Sequence, residues 1–201
     1  MLLIFKRRKK MGLFDTLSKQ LSEKSTAAKL GESVGVSPEK VQKLTEIGLP
    51  TLLQGLLKNS STPEGAASLA KALDQHKNDN VSNITSFLNG VNKDDGVNML
   101  SHIFSGKEKQ VEKSLAKETG LKTNQVAGLL SQLAPLLMGF LGQEKKKENL
   151  DASGIAGLLS NVASQGDSGM MGMAANFLDS NKDGNIIDDV GNLFGKIFKK
   201  K

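Results

Sequence analysis

The sequence predicts an all-α protein: a compact multi-helix domain with an internal helix–turn–Pro–helix duplication and a small C-terminal helical unit holding a calcium-loop-like turn. Three observations carry that prediction. Leu occurs 29 times against 18 for Val and Ile together, a bias toward unbranched side chains that keep their rotamers in a helix. Apolar residues recur at spacings of three and four, the helical period, and do not alternate as strand residues do. Helix starts are also spelled out, in Ser37-Pro38-Glu39 and Thr62-Pro63-Glu64, where a hydroxyl residue takes the N-cap and Pro the first helical position.

In chain order, Phe14, Leu17 and Leu21 mark an amphipathic helix, and Val41, Leu44 and Gly48 open the next after Ser37. An Ala-rich helix covers 66–73. Further helices fall at about 81–90, 96–104 and 108–119, punctuated by Gly90, Asp94-Asp95-Gly96, Gly106 and Gly120. Residues 30–57 and 115–142 align without gaps at an offset of 85. Gly35 matches Gly120, Val41 matches Val126, Leu44 matches Leu129, Pro50 matches Pro135 and Leu56 matches Leu141. In each copy a Gly turn leads to a helix, which is expected to break before the Pro and restart as a second, almost wholly apolar helix. Such helices must be surrounded, which puts LPTLLQGLL and APLLMGFLG at the centre, against each other.

The domain reading is residues 1–10 as a basic N-terminal extension upstream of a start at Met11, a helical body over 11–143, a charged linker over 144–149, and a C-terminal unit over 150–201. That unit contains helices at 151–163, 168–178 and 188–198. In the last, Val190, Leu193, Phe194, Ile197 and Phe198 form one apolar stripe.

Composition removes several function classes. With no Cys there are no disulfides, thiolate nucleophiles, iron–sulfur clusters or Cys-type zinc sites, and two His leave little acid/base chemistry. The net charge of +6 is a property of the ends. Lys6, Arg7, Arg8, Lys9 and Lys10 supply five charges and Lys196, Lys199, Lys200 and Lys201 four, leaving the body slightly acidic, which speaks against nucleic acid. The uncharged window 123–143 has the length of a membrane span, but Gln125, Ser131, Gln132 and Pro135 interrupt it, and it reads as a buried helix pair.

One constellation suggests a ligand. Asp179-Ser-Asn181-Lys-Asp183-Gly184-Asn185-Ile186 follows the start of a calcium loop: alternate oxygen donors point inward, a Gly makes the sharp turn, a backbone carbonyl follows and an aliphatic residue anchors the loop. Position 12, normally a bidentate Glu, is Val190, and Asp188 and Asp189 stand just before it. The candidate metal ligands for Ca2+ are therefore Asp179, Asn181, Asp183, Asn185, Asp188 and Asp189, with an Asx-rich turn capping a helix as the plain alternative. Gly31-Glu-Ser33-Val-Gly35 fits the G-x-S-x-G elbow in letters only, because that elbow needs a strand and a large sheet. His102 reads as a helix-end or core histidine. No catalytic residue is assigned.

The stretches STPEGAASLAKALDQH (61–76), DGVNMLSHIFSGKEKQVEKSLAKETGL (95–121), VAGLLSQLAPLLMGFLG (126–142) and LDSNKDGNIIDDV (178–190) resemble the bacterial domain of unknown function 937 family, which includes the YidB-like proteins. The resemblance implies an all-α fold, a bacterial origin and a shared role for the tail loop, and it brings no activity. That family's tail pattern is richer in Asp, and Asn181 replaces one of them here.

The sequence is thus expected to encode a non-enzymatic cytoplasmic structural or interaction module with an unknown protein partner or self-association, its loop organised by Ca2+. The alternative is a peripheral membrane protein held on anionic lipid by Lys6–Lys10 and Lys196–Lys201. Nucleic-acid binding through the same ends ranks third.

Overall fold

The computed structural model describes residues 13–165 and 168–179. They form ten helices and, among the described residues, no strand: α1 (Leu13–Ser22), α2 (Lys24–Glu32), α3 (Pro38–Asn59), α4 (Pro63–His76), α5 (Ile84–Gly90), α6 (Lys93–Ile103), α7 (Glu108–Thr119), α8 (Thr123–Glu148), α9 (Ala152–Gln165) and α10 (Ser168–Leu178). The fold is all-α, as the Leu bias and spacing predict. Start signals act locally. Thr62 Oγ1 accepts from the Gly65 amide at 3.1 Å, and Asn83 and Asn92 cap α5 and α6 in the same way, each satisfying amides that the first turn leaves unpaired.

Two long helices hold the centre. α3 and α8 meet where Gly48 lies against Leu130, and the other helices pack around them: α1 and α2 on α3, α6 and α7 on α8, α4 on α8, and α9 and α10 on α3. Leu44, Leu49, Leu52 and Leu53 of α3 are buried, as is an unbroken run from Leu129 to Gly139 in α8. A helix with no solvent face is what those two apolar sequences demand.

The expected break before each Pro does not occur. Pro50 lies inside α3 and Pro135 inside α8, and both helices run on for more than two turns. A Pro in this position lacks the N–H that would bond the carbonyl four residues earlier. For Pro135 that carbonyl belongs to Ser131. Gly96 of α6 comes so close to it that a Cβ there would overlap the Ser131 oxygen, so α6 covers the freed carbonyl with its own backbone. For Pro50 the freed carbonyl is that of Glu46, an exposed residue. The Thr51 hydroxyl donates to the next carbonyl, that of Ile47, at 2.6 Å. The local preference against a helix before Pro is outweighed by burial of Leu49 and Ala134 on either side of the crossing.

Two other expectations change. The window 123–143 is one continuous helix and not a pair. The charged run 144–148 is helical and forms the last turns of α8 instead of a free linker, with the left-handed Asn149 (φ 50°) ending the helix. The C-terminal helices α9 and α10 pack against α3 and α4. Residues 1–12, with the basic extension, and 180–201, with the predicted helix 188–198, lie outside the described residues.

Gly96→Ala is expected to destabilise the protein by about 2–3 kcal/mol, because α6 must retreat from α8 and uncover a buried carbonyl. Gly157→Ala, in the interior of α9 with open space at its Cβ position, is expected to stabilise by about 0.5–1 kcal/mol. Urea unfolding of the two variants tests both signs together.

Candidate functional site

Of the six predicted metal ligands, Asp179 alone is described. It follows α10 directly, its amide donates to the Ala175 carbonyl at 3.1 Å, and the residue is 7% exposed. Asn181, Asp183, Asn185, Asp188 and Asp189 lie outside the described residues. Among the described residues no group of three or more His, Asp or Glu side chains stands close enough to hold a metal ion.

The two histidines have distinct settings. His102 is exposed in the last turn of α6, where its carbonyl accepts from Asn59 Nδ2 at 2.7 Å. The same amide donates to the Ile103 carbonyl at 3.0 Å, and Asn59 Oδ1 accepts from Ser105 Oγ at 3.0 Å. One Asn at the end of α3 thus caps the end of α6, donating to two of its last carbonyls, of which that of His102 also accepts from the Ser105 amide at 3.3 Å. His76 ends α4, and its Nδ1 lies 2.8 Å from Asp79 Oδ2. Ser33, the serine of the elbow-like pentapeptide, sits at the C-terminal end of α2 with its hydroxyl on the Leu30 carbonyl, so no strand–turn–helix elbow exists there.

The largest polar gathering that sequence reasoning missed joins α4, the 77–83 loop and the end of α8. Lys145 Nζ lies 2.6 Å from Asp74 Oδ1, Lys146 Nζ donates to Asn78 Oδ1 at 2.8 Å, and Gln143 Nε2 donates to the Asp79 carbonyl at 2.6 Å. Val81 is fully buried against Gly139. The partners are separated by more than sixty residues, so only the lysine run at the end of a helix hinted at them. The cluster straps the loop to α8, and each of its groups is engaged by a neighbour.

Charge placement follows the same economy. The Lys145 ammonium bonded to Asp74 holds that carboxyl below its usual range, and the Gly154 amide bonded to Asp151 does the same at the start of α9. Each of these interactions is in place above the ordinary carboxylate range and is lost as pH falls through the lowered value. Glu112 goes the other way. Burial pushes its carboxyl up, with repulsion from Glu108 one turn earlier adding to the effect. Glu108 Oε2 is itself buried without a hydrogen bond.

α8 is long and apolar enough to cross a membrane by length and composition, but 78% of its apolar window is buried inside the fold. The basic clusters Lys6–Lys10 and Lys196–Lys201 lie outside the described residues.

A family model described as a bacterial protein of unknown function (DUF937) matches residues 15–144, from α1 to near the end of α8. α9, α10 and the acidic run after them stand beyond that match. No curated protein and no solved structure matches the chain at a significant level.

The folded state binds the Glu112 proton more tightly than the unfolded chain does, so ionising this carboxyl costs stability at neutral pH. Glu112→Gln is expected to raise the melting temperature at pH 7, by no more than about 0.5 kcal/mol of stability since the group is largely solvated. The gain should vanish about 1.5 pH units below the ordinary glutamate range, near pH 3, where the wild-type carboxyl is protonated in both states. Paired thermal melts at the two pH values check this.

Proposed function

The chain belongs to that bacterial family of unknown function, and on this premise we propose that it is a non-enzymatic cytoplasmic helical module for protein interaction or self-association, whose C-terminal run from Asp179 to Asp189 takes up a divalent cation, Ca2+ by preference. What supports the non-enzymatic part is how polar side chains are spent. Thr45, Thr51, Thr119, Ser131 and Gln132 are buried and bond to carbonyls of their own helices, while Asn59, Asn83 and Asn92 serve as caps. These groups stabilise helices and leave little to act on a substrate.

The single observation that carries the cation reading is the burial of Asp179 at the head of the Asx-rich run. The oxygen donors spaced after it in the sequence are those that Ca2+ takes.

The test is a far-UV circular dichroism melt of the full chain after chelation, with and without Ca2+ or Mg2+. A ligand that binds the native state alone raises stability by about 2.7 kcal/mol at a hundred times its dissociation constant, which for a chain of this size is roughly 5–10 °C. Ca2+ is expected to raise the melting temperature more than Mg2+, and Asp183→Ala to abolish the rise. No shift at millimolar Ca2+ would overturn the cation site and leave the acidic run as a helix-capping turn.

A further inference from the structure

The correspondence between the halves of the chain extends well past residues 30–57 and 115–142. At an offset of 89, Thr62-Pro-Glu-Gly65 falls on Asp151-Ala-Ser-Gly154. The two segments make the same cap: Thr62 Oγ1 accepts from the Gly65 amide at 3.1 Å, and Asp151 Oδ1 accepts from the Gly154 amide at 2.8 Å. At an offset of 90, Val81, Ile84 and Leu88 fall on Met171, Ala174 and Leu178, all six buried, and the half-buried Phe87 falls on the half-buried Phe177. The four-residue step from 85 to 89 is the amount by which α8 (26 residues) exceeds α3 (22 residues). Backbone geometry repeats as well. Gly35 and Gly120 have φ of 67° and 69°, and the N-cap residues Ser37 and Lys122 have ψ of 151° and 148°.

Packing repeats in a way that identifies the symmetry. Within each half, α2 lies on α3 and α5, as α7 lies on α8 and α10. Between the halves most contacts are reciprocal: α4 packs on α8 and α9 on α3, α5 on α8 and α10 on α3, α2 on α8 and α7 on α3, whereas the packing of α1 on α9 and of α3 on α6 has no counterpart of similar extent. α4 also meets α9 and α3 meets α8, each helix touching its own counterpart. Reciprocal contacts with self-contacts along one line are what a two-fold axis produces.

We infer that α1–α5 and α6–α10 are two copies of one five-helix unit interleaved about a pseudo-two-fold axis, and that the partner this arrangement fits is a second copy of this chain, bound by exchange of halves across Val91-Asn92. Neither half closes its own core, since α3 is covered by α9 and α10 and α8 by α4. The surface that one half presents to the other is therefore the surface that another molecule's half recognises equally well. The short connection between α5, ending at Gly90, and α6, starting at Lys93, decides between the two outcomes. A short linker holds the second half at an effective concentration of about millimolar, so the closed monomer wins in dilute solution. Exchange becomes competitive near that concentration, and it is enforced when the connection is too short to let α6 turn back. This inference does not depend on the cation site.

The test uses the full chain, refolded from denaturant and sized by light scattering after gel filtration. Refolding at about 1 µM is expected to give monomer and refolding near 1 mM a growing dimer fraction. Deleting Val91 and Asn92 together is expected to give dimer even at low concentration. Asn92→Ala, which removes the α6 cap but keeps the length, should stay monomeric. Two full-length chains, one carrying Leu44→Asp in α3 and the other Leu129→Asp in α8, supply the second arm. Each alone is expected to fail to fold, whereas refolding them together should recover a dimer with cooperative helical unfolding, because exchange builds one intact pair of halves. Monomer under every condition would overturn the inference. So would a wild-type dimer without complementation between the two damaged chains, since that dimer forms side by side.

Discussion

The fold depends on packing α3 and α8, whose central stretches from Gly48 to Leu53 and from Leu129 to Gly139 are buried, against each other while the buried polar groups they carry are satisfied. The hydrophobic return of such a crossing is large, because Leu side chains on all faces leave water at once. Its hazard is equally concentrated, since a buried carbonyl without a donor costs about 1–3 kcal/mol. Pro135 creates such a carbonyl in the middle of α8, at Ser131, and the close approach of Gly96 answers it. That contact fixes where α6 must lie. With α6 placed, its Ile103 comes against Gly55, and Asn59 can then cap the end of α6 from the end of α3. The order of dependence runs from one imino acid to the mutual placement of three helices.

The same economy bears on function. A catalytic site needs polar groups held in reach of a ligand and partly released from structural bonds. Here the buried hydroxyls and amides among the described residues turn back on their own helices, and the acid–base pairs sit at helix ends where they fasten loops. His76 with Asp79 holds the segment after α4 to the helix end, and Asp74 with Lys145 ties α4 to α8. Polar groups used in this way hold the helices and the 77–83 loop in place.

What the sequence made legible was whatever acts over a few residues. Ser37-Pro38 and Thr62-Pro63 start helices as expected, Gly35 and Gly120 adopt left-handed turns, and the limits of α7 and α10 match the predicted spans. The error at Pro50 and Pro135 came from the same local logic. The cost of a missing amide bond is written in the sequence, but the cover supplied by Gly96, thirty-nine positions away from Pro135, is not. The partners of Asn59 lie beyond residue 100, so nothing near it in the sequence marks it as the cap of α6. For the candidate metal run, the sequence supplied the donor spacing and the structure added the burial of its first member. Asn181, Asp183, Asn185, Asp188 and Asp189 lie outside the described residues.

If the halves descend from one unit, their differences become informative in a way that their likenesses are not. Ala27, fully buried in α2, corresponds to Glu112 of α7, where burial and Glu108 together disfavour the ionised carboxyl. The exposed Glu46 of α3 corresponds to the buried Ser131 of α8. The extra turn that lengthens α8 carries Lys145, Lys146 and Lys147, and the first two of these bind Asp74 and Asn78 at the end of α4. The last of these departures lies at the periphery, while the buried pairs Leu44 and Leu129, and Pro50 and Pro135, keep the equivalence at the centre. On the proposed two-fold relation, the core is constrained because both copies must fill one shared interior. The outer faces are released from that constraint, and it is there, at the lengthened end of α8 and in the segment that follows α10, that one half has acquired polar features the other lacks.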